Sequence, residues 1–296
     1  MEEIQRILLL GNGINDALGE NKENKINWDD ILTYVQEKLI EENFIEPNKK
    51  INPKNKETSA TQLFESWCTN DKEKFVREKV CEYILSKKIN LSPLGLWNKT
   101  DIIITTNFDK NLIDCAPKKS SKGFVNNDKY LTRRMDFTKG KHIFCIHGHC
   151  DFEKSICLGF DQYITNLTKI QSFVKANYPR KDKNGEVKFI YKTDGKRKSF
   201  SWVDYFFAPN TEIDILGLNL CSEEIDLWWL LKQRSKYSEL LRNNVIRYFD
   251  LASSSNSKKT ILRSMYVDVE EISGSEGYDE QFYKSCLDKI PNLPIK

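Results

Sequence analysis

The sequence predicts a doubly wound α/β fold with a helical insertion, and three observations carry that prediction. Strand-length apolar runs recur at residues 7–10, 102–105, 143–146, 213–216 and 245–249. They are continuous rather than alternating, as in strands covered on both faces of a parallel sheet. Helical periodicities lie between them, and strands alternating with helices build such a sheet.

Taken in order, residues 7–10 form the first strand. Residues 28–39 place apolar side chains at 28, 31, 32, 35 and 39, and residues 75–85 do so at 75, 76, 80, 84 and 85. Both spacings are helical. About ninety residues separate the first strand from the second, too long for one crossover, so a helical insertion is expected at about 20–98. It includes a polar linker at 47–59. The strands at 102–105, 143–146 and 213–216 follow, then a helix at 225–231, the strand at 245–249 and an alternating strand at 265–269. Residues near 178–198 are rich in Lys, Asp and Gly and read as an exposed loop. A single domain is expected to span 1–296.

Composition narrows the function classes. Hydrophobic residues make up 39% of the chain and aromatic residues 11%, which excludes a disordered chain and supplies a core. Forty-six basic residues nearly balance 43 acidic ones, leaving +3, so no dedicated nucleic-acid binder is expected. The pairs Lys118-Lys119 and Arg133-Arg134, and the run Lys196-Arg197-Lys198, are able to touch phosphates but read as a solvated face. No apolar stretch reaches the roughly 20 residues of a membrane span. The acidic start Met1-Glu2-Glu3 and a short apolar run do not make a signal peptide, so a cytoplasmic protein without a membrane partner is expected. Eight scattered cysteines without a C-x-x-C pair read as reduced core residues.

Four segments at strand ends carry candidate chemistry. The first strand runs into Gly11-Asn12-Gly13-Ile14-Asn15-Asp16. Two glycines there permit a tight turn and close backbone approach to a pyrophosphate, but Asp16 occupies the third glycine position of G-x-G-x-x-G. The segment therefore fits either a nucleotide loop or a plain strand-to-helix turn. The second strand runs into Thr105-Thr106-Asn107-Phe108-Asp109. Asp109 reads as the N-cap of a helix starting near Lys110. Asn107 precedes that cap and needs another polar partner.

The third strand runs into Ile146-His147-Gly148-His149, which holds two of the three histidines, the other being His142. With an ordinary pKa near 6.5, His147 is the neutral-pH base at that edge. His147, His149, Cys145, Cys150 and Asp151 resemble ligands by type, yet no metal-ligand spacing joins them, and no metal is expected. The fourth segment is Gly217-Leu218-Asn219-Leu220-Cys221-Ser222-Glu223-Glu224. Ser222 or Asn219 is expected to cap the following helix. Glu223, Glu224 and Asp226 suit its dipole but repel phosphate, so the loop matches ribose hydroxyls or adenine better than pyrophosphate. Trp228 and Trp229 read as core.

Together these segments resemble the sirtuin family, and more closely its zinc-less bacterial branch of NAD-consuming anti-phage defence proteins. Gly11-Asn12-Gly13-Ile14-Asn15 looks like the family's first nucleotide loop. Thr105-Thr106-Asn107-Phe108-Asp109 resembles its T-x-N-x-D motif, Ile146-His147-Gly148 its catalytic-histidine motif, and Gly217-Leu218-Asn219 its adenosine-side loop. The resemblance implies a Rossmann-like sheet that binds NAD through Gly11, Asn12, Gly13, Asn15, Thr106, Asn107, Phe108, Asp109, Gly217 and Asn219. It implies Asn107 and His147 as the catalytic pair. Deacetylase sirtuins carry a four-cysteine zinc ribbon after the histidine, whereas only Cys150 and Cys157 follow it closely here. The implied activity is therefore NAD+ hydrolysis, with NAD+ as substrate and no cofactor or zinc.

Nicotinamide leaves NAD+ as a neutral molecule, so the site must hold the ribose and guide water rather than supply an acid. Asn107 is suited to hold a ribose hydroxyl or the water, and His147 to act as general base. Phe108 either walls the nicotinamide pocket or packs the core. Two other readings remain: an NAD-dependent protein deacylase and a non-catalytic nucleotide-binding sensor. Uncontrolled NAD+ loss would kill the host cell, so a gate is expected in self-assembly or in a separate sensor subunit, such as a nucleotide-sensing one. The pattern runs from Gly11 to at least Phe249, which leaves about 45 residues, and the gate is expected outside this chain.

Overall fold

The computed structural model describes residues 4–19, 25–53, 58–69, 72–117, 119–178, 180–181, 187–188, 201–241 and 243–294. The chain opens with β1 (Gln5–Leu10) and α1 (Gly13–Leu18), followed by α2 (Trp28–Glu41), α3 (Ala60–Trp67) and α4 (Lys72–Leu85). It returns as β2 (Ile102–Thr105) and continues through α5 (Asn111–Asp114), β3 (Lys119–Val125), β4 (Arg134–Phe137) and β5 (His142–Cys145). Next come α6 (Phe160–Asn177), the short pair β6 (Arg180–Lys181) and β7 (Val187–Lys188), and a 3-10 helix at Trp202–Phe207. The last elements are β8 (Thr211–Leu216), α7 (Ile225–Ser235), β9 (Asn244–Leu251), α8 (Asn256–Ser264), β10 (Asp268–Ile272) and α9 (Glu280–Asp288).

Eight strands form one sheet in the order β10-β9-β8-β1-β2-β5-β4-β3. The strands from β10 to β5 are parallel, and β4 and β3 add an antiparallel edge. The apolar runs cover both faces, as their lack of alternation requires. Leu8 and Leu10 of β1 join a core with α2, α4 and α9, while Ile7 and Leu9 join a second core with α6, α7 and α8. The chain leaves β1 toward β2 across one face and leaves β8 toward β9 across the other. The crevice between β1 and β8 is thus a topological switch point, where open α/β sheets bind ligands. Register sets the neighbouring ends level: Leu10 lies beside both Thr105 and Leu216.

Local signals fix the insertion helices. Asn27 caps α2 by accepting from Asp30 N, and Ser59 with Gln62 forms a capping box on α3. Such caps contribute ~1 kcal/mol each.

Some sequence expectations shift. The strand expected at 265–269 is observed at Asp268–Ile272, because α8 runs to Ser264 and Tyr266 turns the chain at φ 58. The strand expected at 143–146 ends one residue earlier, at Cys145. Most of the loop expected near 178–198 lies outside the described residues, as do Lys118 and residues 196–198. All eight cysteines are free. No helix among the described residues is long and apolar enough to cross a membrane.

Candidate active site

The carboxyl ends of β1, β2 and β8, with the turn after β5, border a cavity of ≈ 400 Å³. Asn12, Gly13, Thr106, Asn107, Phe108, Asp109, His147, Gly217 and Asn219 line it, and Trp28 and Phe64 from the insertion supply part of its opposite wall. Three of the four segments singled out in the sequence thus reach it through several residues, and the histidine segment through His147. The volume lies in the range of small-molecule sites.

The two glycine loops meet backbone to backbone. Gly13 N donates to Gly217 O at 2.8 Å, and Gly11 N to Leu216 O at 3.0 Å. A Cβ on Gly11 would stand 2.5 Å from Gly217 O and from Leu218 Cα, so no larger residue fits without moving backbone. Gly217 adopts φ 65, which favours glycine. Gly11→Ala is expected to cost about 1–3 kcal/mol, the range for overpacking a closed site. A thermal melt checks this, and an unchanged midpoint would mean that the loops yield freely.

Gly11 and Asn15 lie behind the cavity rather than on its wall. Asn15 is fully buried and donates Nδ2 to Asp109 Oδ2 at 2.6 Å and to Asn12 Oδ1 at 3.2 Å. Asn12 donates its own Nδ2 to Ile26 O, tying the loop to the insertion. Asp109 Oδ1 accepts from Asn111 N at 2.8 Å, but it is not the N-cap expected: α5 begins at Asn111 with Lys110 as its N-cap, so Asp109 stands one residue before the cap. Its carboxyl is buried against amides, and burial raises its pKa.

Asn107 is held by two hydrogen bonds. Its N–H donates to Thr105 Oγ1 at 3.0 Å, and Thr105 Oγ1 donates to Leu10 O at 3.0 Å. Its Nδ2 donates to Gly11 O at 3.2 Å, while Oδ1 is buried and has no partner among the described residues. A buried amide oxygen left unpaired is costly, so a donor from a ligand would be favourable there. Phe108 belongs to the core, lines the cavity and packs edge-on against Trp28 at 6.0 Å.

His147 follows β5 and is buried. Its Nε2 lies 3.0 Å from Asp226 Oδ2, which also accepts from Tyr130 OH at 2.9 Å. Asp226 Oδ1 accepts from Leu227 N at 2.9 Å. Burial alone pulls the His147 pKa down, but the charge and hydrogen bond of Asp226 outweigh it and leave the pKa raised. Burial pushes Asp226 up, and the charge of His147 with hydrogen bonds from His147 and Tyr130 turns the balance to a lowered pKa. Assigning the proton to Nε2 leaves Nδ1 as the basic ring nitrogen. Tyr163 stands edge-on to the ring at 5.2 Å.

Sequence reasoning missed this brace. Asp226 was expected to serve the helix dipole, whereas it is fully buried beneath His147. The signal was its place four residues before Leu230, on the buried face of α7. Glu224 was missed as well. It lines the cavity and accepts from Cys221 N at 3.0 Å, and burial pushes it up to about 7.

The capping roles expected of Ser222 and Asn219 are not observed. Leu220 at φ 49 and the turn from Cys221 to Glu224 use up the loop, so α7 begins at Ile225 with Glu224 as its N-cap, and the Glu224 side chain bonds back to Cys221 N rather than to a helix N–H. The Ser222 hydroxyl instead donates to Glu223 at 3.0 Å. Asn219 Oδ1 and O accept from Lys258 Nζ at 2.9 and 2.7 Å. Trp228 and Trp229 are partly buried at the edge of the core.

His149 points away from the cavity. It stacks on Phe124 at 3.5 Å, and burial, with Arg133 adding, pushes its pKa down to about 4. Among the described residues no group of three His, Cys, Asp or Glu side chains is placed to hold a metal ion.

Residues 101–184 match the family profile described as SIR2-like domain. This stretch holds β2, Asn107, β5 and His147. The match supports a sirtuin-like relationship and NAD-dependent activity in general. A comparison with curated proteins gives no match.

Proposed function

We propose that the chain is an NAD+ glycohydrolase that cleaves the nicotinamide–ribose bond and yields nicotinamide and ADP-ribose. In this reading it is the NAD-depleting effector of a bacterial anti-phage, abortive-infection system. One observation carries the chemistry: Asn107, with its unpartnered Oδ1, and His147, braced by Asp226, line one cavity at the switch point of the sheet. The Asn107 amide oxygen accepts from a ribose hydroxyl or from water. His147 Nδ1 takes the proton of the water that attacks C1′ as neutral nicotinamide departs. The imidazolium so formed is stabilised by Asp226. The adenosine end lies toward Gly217 and Asn219, beside the carboxylates of Glu223 and Glu224, which disfavour phosphate there.

The activity is gated by self-assembly or by a separate sensor subunit. A partner raises activity only through its preference for the competent state. Incubation with NAD+, alone and with proteins encoded nearby, followed by chromatography, tests the reading. Nicotinamide and ADP-ribose in equal amounts are expected, with release stimulated by assembly or a neighbour. NAD+ binding without turnover in every assembly state would instead make the chain a nucleotide sensor. One zinc per chain by elemental analysis, together with acyl-peptide turnover, would make it a deacylase.

A further inference from the structure

A second cavity, of ≈ 370 Å³, lies beside α6 and the turn at Phe152–Cys157. Cys157 lines both cavities, and Tyr130 lines the second. The Tyr130 hydroxyl is the group that donates to Asp226 Oδ2, on the same oxygen that faces His147 Nε2. Two cavities thus share a wall crossed by one hydrogen-bonded chain.

The lining is charged. Arg133 was read from the sequence as part of a solvated basic pair, but it is 6% exposed. Its Nε donates to Asn127 O at 2.6 Å and its Nη1 to Cys145 O at 3.4 Å, and Nη2 makes no hydrogen bond among the described residues. Lys154 and Lys169 also line the cavity, and Lys169 Nζ stands 6.0 Å from the centre of the Tyr130 ring. Asp128 and Asp161 are the carboxylates of this lining, so three cations face two anions. A buried guanidinium with free donors favours a bidentate oxyanion, and a lining so rich in charge does not suit an acyl chain.

We propose that the second cavity binds a phosphate group through Arg133, Lys154 and Lys169, and that its occupancy is passed to His147 through Tyr130 and Asp226. An anion beside Arg133 and Lys169 changes the field at the Tyr130 hydroxyl. That changes how strongly the hydroxyl donates to Asp226, and so how Asp226 holds the imidazole. Coupling of this kind is reciprocal between the two cavities.

Calorimetric titration of the full chain with inorganic phosphate tests the site. One phosphate per chain is expected, weakened ~10-fold or more in the exposed double variant Lys154→Ala/Lys169→Ala, the scale of a lost charge-assisted hydrogen bond. Lys258→Ala, at the rim of the first cavity, is expected to leave binding unchanged. Loss of binding in Lys258→Ala rather than in the double variant, or no saturable binding at all, would overturn the site. A parallel titration with adenosine 5′-monophosphate separates the sources: tighter binding assigns a nucleotide's phosphate, and equal or weaker binding a free oxyanion.

The coupling is read by nitrogen-detected NMR of the imidazoles, tractable with only three histidines in the chain. Phosphate is expected to shift His147 in the parent protein but not in Tyr130→Phe, which keeps phosphate binding. An unmoved His147 in the parent would overturn the coupling. Neither readout uses NAD+, so failure here and failure of the hydrolase reading are distinguishable.

Discussion

His147→Ala is expected to lower nicotinamide release from NAD+ by ~100-fold or more, the scale for a lost general base. Asn107→Ala is expected to fall by a similar factor for a different reason. The histidine supplies the ring nitrogen that accepts the proton of the attacking water. The asparagine supplies the buried Oδ1 that has no partner among the described residues, the atom proposed to orient a hydroxyl. Folding must be separated from chemistry, because His147→Ala strips Asp226 of its buried partner, a change that costs about 3–5 kcal/mol when an ion pair is broken from one side. His147→Gln makes the separation: its amide still donates toward Asp226 but offers no base. Product release followed by chromatography, with a thermal melt of each variant, reads both effects. A well-folded His147→Gln that retains most of the parent rate would remove His147 from the mechanism.

The parts of this site that were legible in the sequence are those set by backbone position. A buried strand, such as Ile102–Thr105, announces itself by its apolar run, and whatever follows it must stand at the carboxyl edge of the sheet. Asn107 and His147 were found in this way. Gly11 was legible as a close-approach position, although what it approaches most closely is the backbone of Gly217 and Leu218. What was not legible depends on side chains meeting across the fold. Asp226 comes from a helix 79 residues beyond His147, and Tyr130 from a connection before β4 that carries no periodic signal. Arg133 looked like a surface cation because its neighbour Arg134 is also basic. Only packing shows that Arg133 is buried while Arg134 pairs with Asp136 at 2.7 Å. The antiparallel edge formed by β3 and β4 escaped for a similar reason: short polar strands there follow no run that a core-seeking pattern detects.

Asp226→Asn is expected to reduce turnover by about 10²–10⁴-fold at pH 7, the scale for removing the carboxylate behind an imidazole base. The substitution is nearly isosteric, and the Tyr130 hydroxyl, which shares Oδ2 with His147, is able to accept from the new amide instead of donating to a carboxylate, so the fold should survive. Its effect is on the proton. The asparagine amide presents N–H to His147 Nε2, which favours the tautomer protonated on Nδ1 and occupies the nitrogen that must act as base. The pH profile gives a second readout. Neutral His147 is the working form, and Asp226 raises its pKa above the ordinary value near 6.5, so kcat/KM in the parent rises as pH climbs through that raised value. Without the carboxylate, burial dominates and pulls the pKa down, so the rising limb moves to lower pH even as its plateau falls. Glu224, pushed up to about 7 on the same wall, titrates in this window, so the profile reports the group of carboxyls and imidazole rather than one site. Glu224→Gln isolates the histidine limb. Stability follows the same signs. The raised His147 contributes fully below its unfolded pKa and loses that contribution as pH rises through its folded value. The lowered Asp226 contributes above its unfolded pKa and loses that as pH falls through its folded value. The pair therefore stabilises most between those limits, and Asp226→Asn should flatten the dependence. A variant with the parent's rate, an unmoved limb and an unchanged pH-stability curve would reduce Asp226 to a packing residue and leave His147 without its brace.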